Sequence, residues 1–352
     1  MKNTVKNLFA IILLAVLTVP VNPVFAGNED RAGEAGASEL LIMPFARSSG
    51  WGMSNTSAIR GLEGMYLNVA GTAFTQSTEV MFARTEWLKG SGISVNSFGL
   101  TQKVGASGVI GLGVMTMGFG DIMITTVDLP EGGIGTFKPS FMNIGISYAK
   151  AFSNSIYGGL VVKVITESIA DNRAQGVAID AGIQYLTGDN ENIHFGIALR
   201  NIGPTMKFTG DGLSFRGNVN NSDVLMTVEQ RSVSFQLPAL LNIGAAYDFI
   251  LNDDHTITLA GSFTSMSFGK DVYAGGLQYN FNDYLMLRGG LQYEKGLFDS
   301  KERTSAYTGP TAGITIQVPL NKEKGSTFSL DYSYRTSNPF QGTHCIRARI
   351  NL

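Results

Sequence analysis

From Thr78 to the C-terminus, apolar and polar residues alternate in segments of about ten residues, each ending at Gly, Asn, Asp or Pro. In the segment 326–335, Phe328, Leu330, Tyr332 and Tyr334 share one face, while Ser329, Asp331, Ser333 and Arg335 share the other. In 342–352, Ile346, Ala348, Ile350 and Leu352 oppose Cys345, Arg347, Arg349 and Asn351. Side chains of a strand point alternately to opposite faces, so each segment predicts one apolar wall and one polar wall. The pattern predicts strands at 78–88, 92–103, 107–120, 140–150, 155–168, 175–186, 191–201, 238–250, 255–266, 271–281, 284–294, 310–319, 326–335 and 342–352. That is an all-β chain of about fourteen strands, an even number, as a single-chain antiparallel transmembrane barrel requires.

The connections follow the same arithmetic. The even-numbered ones (104–106, 151–154, 187–190, 251–254, 282–283 and 320–325) are short, and the longest (121–139, 202–237 and 295–309) are all odd-numbered. Outer-membrane barrels have short periplasmic turns and longer external loops, so the three long loops are expected outside the cell and both chain ends in the periplasm. Tyr185, Phe195, Tyr247, Phe249, Tyr279, Phe281, Tyr293 and Tyr334 fall near strand ends on the apolar face, where rings suit a membrane–water boundary.

Residues before Thr78 do not alternate. In 1–26, Lys2 and Lys6 precede the apolar run Leu8 to Val19, and Val24-Phe25-Ala26 offers a small-residue cleavage site. This is the layout of an export signal; Pro20, Asn22 and Pro23 interrupt the run too early for a membrane helix. The stretch 27–76 is rich in Gly, Ala and Ser and is expected to fold into the lumen as a small N-terminal plug, leaving 77–352 as the barrel.

Composition narrows the function. Only 15 % of residues are charged and the formal net charge is −2, so nothing suggests nucleic acid. One Cys excludes a CxxC redox or Cys-rich zinc site, and the three scattered His show no ligand spacing. No HExxH, P-loop or GxSxG is present, and neither an enzyme nor a cofactor is expected.

Several short motifs occur in a telling order. Ala32-Gly33-Glu34-Ala35-Gly36-Ala37, Ala46-Arg47 and the stretch Gly61 to Gly71 come first. Arg200-Asn201-Ile202-Gly203-Pro204 with Met206-Lys207-Phe208 follows, then Leu237-Pro238, Tyr247-Asp248-Phe249 and Gly342-Thr343-His344. Together these resemble the PorV/PorQ family, within the wider FadL-like class of outer-membrane barrels. Where that family has a W-N-P-A-G box, this chain has Tyr66-Leu67-Asn68-Val69-Ala70-Gly71, with Val69 in place of proline. The resemblance implies a fourteen-stranded barrel. It also implies a type IX secretion component that binds the signal domain of secreted cargo, a large translocon barrel and a surface attachment complex. The FadL side of the class implies instead a transporter of hydrophobic small molecules.

Candidate residues fall into three groups. Asn68, Ala70, Gly71, Asn201, Gly203 and Pro204 are expected to shape turns and plug packing. Lys163, Asp180, Arg200, Asp248, Arg288, Asp331, Arg335, Arg347 and Arg349 lie on the polar wall, where ion pairing inside a narrow lumen is the main expectation and solute selection the alternative. Met206, Phe208, Leu213, Phe215, Leu225 and Met226 make 202–237 a candidate partner loop or lid. A transporter predicts an apolar pocket running from the mouth to the plug; a cargo carrier tolerates a filled lumen.

Overall fold

The computed structural model describes residues 27–218, 224–299, 301–321, 323 and 325–352. The signal expected over 1–26 lies outside them. Fourteen strands follow one another in the chain. They are β1 Thr78–Trp87, β2 Ile93–Val104, β3 Gly108–Gly118, β4 Ser140–Ala151 and β5 Ile156–Ile169. Next come β6 Asn172–Thr187, β7 Ile193–Ile202, β8 Leu240–Ile250, β9 His255–Met266 and β10 Val272–Phe281. The last are β11 Leu285–Glu294, β12 Tyr307–Asn321, β13 Ser326–Ser337 and β14 Thr343–Asn351. Each pairs antiparallel with its neighbours in sequence, and β1 pairs with β14, Met81 opposite Arg349 and Thr85 opposite Cys345. The sheet is therefore a closed barrel with no free edge, the condition for strands to cross lipid.

The alternation sets its two walls. Ile146, Leu160, Val162, Ile183, Ile197 and Ile346 stand exposed on the outer surface, which suits lipid, while Asn143, Lys163, Asp180 and Arg347 are buried inside. Strand ends agree with the sequence pattern to within a few residues. β12 begins earlier than expected because its pairing with β13 slips between Tyr307 and Thr311, an irregularity that accommodates Pro310.

The expectation for the N-terminal end is corrected. Gly27 lies against Gly269 and Asp271, and the Asn28 N–H donates to the Met266 carbonyl, 3.3 Å away, at the long-loop end. The chain then descends the lumen to the short-turn end. There the Thr75 and Thr101 hydroxyls meet at 3.0 Å, and the Leu352 N–H donates to the Thr78 carbonyl at 2.9 Å. The two described ends thus sit at opposite mouths. Only short helical turns interrupt the descent, among them Ala46–Gly50, Leu62–Tyr66 and Val69–Phe74. Phe45, Leu62, Met65 and Leu67 pack against Met81, Met115, Phe141 and Ile165 of the wall to form the core. Such contacts are all to residues distant in sequence, so the segment shows no periodicity of its own.

Glycine makes room for it. A Cβ on Gly276 would meet the Trp51 ring at 2.3 Å, one on Gly196 the Ser57 Cα at 2.7 Å, and one on Gly99 the Leu62 side chain at 2.7 Å. These positions are matched across strands, Gly99 opposite Gly113, Gly196 opposite Gly244 and Gly276 opposite Gly290. They form a belt on the inner wall where the segment crosses.

Candidate functional site

The inner segment is fixed to the wall by hydrogen bonds and buried charge. Asn68 accepts the Ala70 N–H at 3.2 Å and donates to the Thr56 carbonyl at 3.0 Å and the wall carbonyl of Ile183 at 3.1 Å. Opposite it, a Cβ on Gly182 would lie 2.2 Å from the Asn68 Oδ1. Gly71 presses on the Ile59 carbonyl, and Val69 opens a 3-10 turn. Glu63, an acid in an otherwise uncharged stretch, meets the Arg347 guanidinium at 2.6 Å. Arg347 also makes two bonds to Asp331 Oδ2, at 2.9 and 2.7 Å. Arg288 donates to Thr315 at 2.6 Å and lies 4.0 Å from Asp331. Arg349 is held by Ser329 and Gln317. Buried charge is tolerated here because each group has fixed partners.

A second cluster surrounds a wall irregularity. The register of β6 and β7 slips between Ile179 and Ala181, and Asn201 adopts a left-handed φ of 60°, which Asn tolerates. Its N–H donates to Asp180 at 2.8 Å, its amide donates to the Pro238 carbonyl at 3.1 Å, and its Oδ1 accepts from Lys163 at 3.0 Å. Lys163 also ion-pairs with Asp180, while Arg200 donates to the Leu40 carbonyl of the inner segment at 3.2 Å. Gly203 abuts the Val177 carbonyl so closely that a Cβ would sit 2.2 Å away, whereas Pro204 is exposed. Asp248 stands apart, near the short turns, bonded to His194 at 2.9 Å and to Thr258 at 2.5 Å.

Two of the candidate loop residues pack back towards the wall, Met206 fully and Phe208 in part. Met206 is buried over Gly176, its backbone paired with Phe235, and Phe208 packs on the Phe235 ring at 5.8 Å. Both are drawn in because the chain after Gly203 folds back onto β6, Phe208 pairing with Ala174. Leu213 is half-buried, while Phe215, Leu225 and Met226 are exposed on the hairpin formed by Ser214–Asn218 and Leu225–Glu229.

At the long-loop end the lumen opens into a cavity of about 730 Å³. Leu41, Ile42, Met53 and Leu67 of the inner segment form its floor. Trp87, Met117, Leu240 and Met266 line its sides, with Arg335, Gln292, Asn242 and Arg200 supplying polar groups. Trp87, Asn242 and Gln292 were not among the sequence candidates. Pairing the first strand with the last would have revealed Trp87, since it places the end of β1 beside Thr343 and hence one strand from Arg335.

No protein-family model and no curated protein matches the chain. Solved barrels do. The Pseudomonas putida toluene transporter TodX superposes with a TM-score of 0.55 at 12 % identity, covering 88 % of this chain and 98 % of that one. A Pseudomonas aeruginosa FadL homologue gives 0.54 at 10 % identity, covering 88 % and 98 %. The CymD monoaromatic hydrocarbon channel gives 0.51 at 13 % identity, covering 88 % and 97 %. At these identities the likeness concerns the fold: a closed, fourteen-stranded, FadL-like barrel.

Proposed function

We propose that this chain is an outer-membrane transport protein that admits hydrophobic small molecules through its long-loop mouth. The observation that supports this reading best is the cavity of about 730 Å³, walled largely by apolar side chains and reaching from the mouth to the inner segment. The structural neighbours TodX and CymD are named for toluene and for monoaromatic hydrocarbons, and that chemistry suits such a cavity. In this reading the inner segment acts as a plug: its glycine-lined crossing and the Glu63–Arg347 pair close the lumen below the cavity.

Ala274 lines the cavity from β10. Ala274→Trp should fill it, abolishing accumulation of radiolabelled ethylbenzene by cells while leaving the folded, heat-modifiable gel mobility intact. Unchanged accumulation in a folded Ala274→Trp protein, or in a deletion strain, would refute the reading.

A second reading, a type IX secretion component that binds cargo and a larger barrel, draws on exposed apolar loops. Phe215, Leu225 and Met226 project from one, and Met123, Val127 and Ile134 from another. Recovery of a large barrel or secreted protein with the tagged chain from native membranes would support it.

A further inference from the structure

We propose that export processing cuts the chain between Ala26 and Gly27, and that the ammonium group so created docks against Asp271 and the Gly269 carbonyl. Maturation then pins the start of the inner segment across the long-loop mouth.

Val24 and Ala26 stand third and first before this cut, the layout of a small-residue site for a signal endopeptidase. Hydrolysis adds the hydroxyl of a water to the Ala26 carbonyl carbon and its hydrogen to the Gly27 nitrogen. Before the cut that nitrogen is a neutral amide with one N–H. Afterwards it is an amine that takes up a further proton at neutral pH and becomes a cation with three donors.

Its surroundings are acceptors. A Cβ on Gly27 would lie 2.6 Å from the Gly269 carbonyl oxygen and 2.8 Å from Asp271 Oδ1, so the backbone is seated against both with no room for a side chain. The Gly27 nitrogen is two covalent bonds from that position, which places it within roughly 5 Å of the carboxylate. Asp271 is 5 % exposed and immediately precedes β10, so the wall fixes its place. A carboxylate buried to that extent is stabilised by a cation at close range. Lys270, next to it in the chain, is engaged by the carbonyls of Lys295 and Glu302 at 2.9 and 2.6 Å, and Arg31 by Glu34 at 2.8 Å.

The residues that follow hold Gly27 in position. The Asn28 N–H donates to the Met266 carbonyl, the Arg31 guanidinium lies 4.3 Å from the centre of the Phe268 ring, and the Gly36 N–H donates to the Gln236 carbonyl at 3.0 Å. The stretch so anchored goes on to line the cavity with Glu29, Ala32 and Ser38. A retained leader would present a neutral amide at Asp271, whereas cleavage supplies a charge.

The test uses the full chain, exported to the outer membrane and extracted as the folded barrel. Its intact mass should be that of a chain starting at Gly27. The α-amine, with an ordinary pKa of about 7.7–8.0 against about 10.4 for Lys, is then acylated near neutral pH, and the label is located on the N-terminal peptide by mass. Wild type should react about tenfold more slowly than Asp271→Asn, because the carboxylate keeps the amine protonated and covered. A variant with Ser-Ser inserted between Ala26 and Gly27 carries the amine beyond the pocket. It should react as fast as Asp271→Asn, and it serves alone if Asp271→Asn does not fold. Asp271→Asn should also lower the temperature at which the folded gel band converts in the wild-type chain, and should not lower it in the inserted one. A mature chain starting elsewhere, equal labelling of wild type and variants, or the same thermal loss in both backgrounds would overturn the proposal. None of these outcomes depends on what the barrel transports.

Discussion

The lumen is built in two ways along its length. Where the inner segment crosses, the wall presents glycine, and charge is matched across the contact: Gly276 makes way for Trp51, and Arg347 is shared between Glu63 and Asp331. At the mouth the wall presents long side chains, Trp87 on β1, Gln292 on β11 and Arg335 on β13, and a cavity remains between them. One region is complementary to a piece of its own chain, already in place. The other is left open. Small residues facing inward mark where the protein fills itself, and the cavity begins where they give way to long ones.

This contrast can be broken most severely at Arg347. Arg347→Met leaves Glu63 buried without its cation and Asp331 with only Arg288 at 4.0 Å, a loss of about 3–5 kcal/mol for a disrupted buried pair. The expected outcome is a large fall in the temperature at which the folded gel band converts to the unfolded one. A smaller effect separates two adjacent glycines. Gly276→Ala would place a methyl 2.3 Å from the Trp51 ring, and overpacking of that kind costs about 1–3 kcal/mol. Its neighbour Gly275 faces open space, so Gly275→Ala should stay within about 0.5 kcal/mol of wild type. Equal loss from both, in denaturant titrations, would show that the belt is not a packing device.

The least perturbing test fixes which mouth faces outward. In a Cys345→Ser background, Val127→Cys and Phe298→Cys, both in exposed long loops, should react with an impermeant thiol reagent on intact cells, while Asp253→Cys in a short turn should not. The reverse pattern would place the cavity on the periplasmic side.

The barrel was legible in the sequence because its signal is local. Alternation over ten residues, as in Phe328 to Arg335, reports a strand without knowledge of its neighbours. The register then follows from short turns, and the inward placement of Lys163, Asp180 and Arg347 follows from parity. The inner segment was legible only as small-residue composition, because its contacts span long sequence separations: Asn68 meets Ile183, and Glu63 meets Arg347. For the same reason its path along the whole lumen, with Gly27 beside Asp271, could not be read from 27–76 alone. The loop 202–237 reads equally as a lid or a partner surface, because a long loop gives no sign that its chain turns back on the wall as it does at Met206 and Phe208. The cavity was expected only as a type, and its polar residues emerge only when strands distant in sequence are laid side by side.

The pairing of β1 with β14 has a consequence for assembly. The inner segment bonds to both sides of that seam: the Leu62 N–H donates to Glu79 on β1 at 2.9 Å, and Glu63 reaches Arg347 on β14. The Pro44 carbonyl, 3.5 Å from both Thr85 and Cys345, bridges the same two strands. Closing the seam and seating the inner segment therefore use the same bonds, so neither is complete without the other.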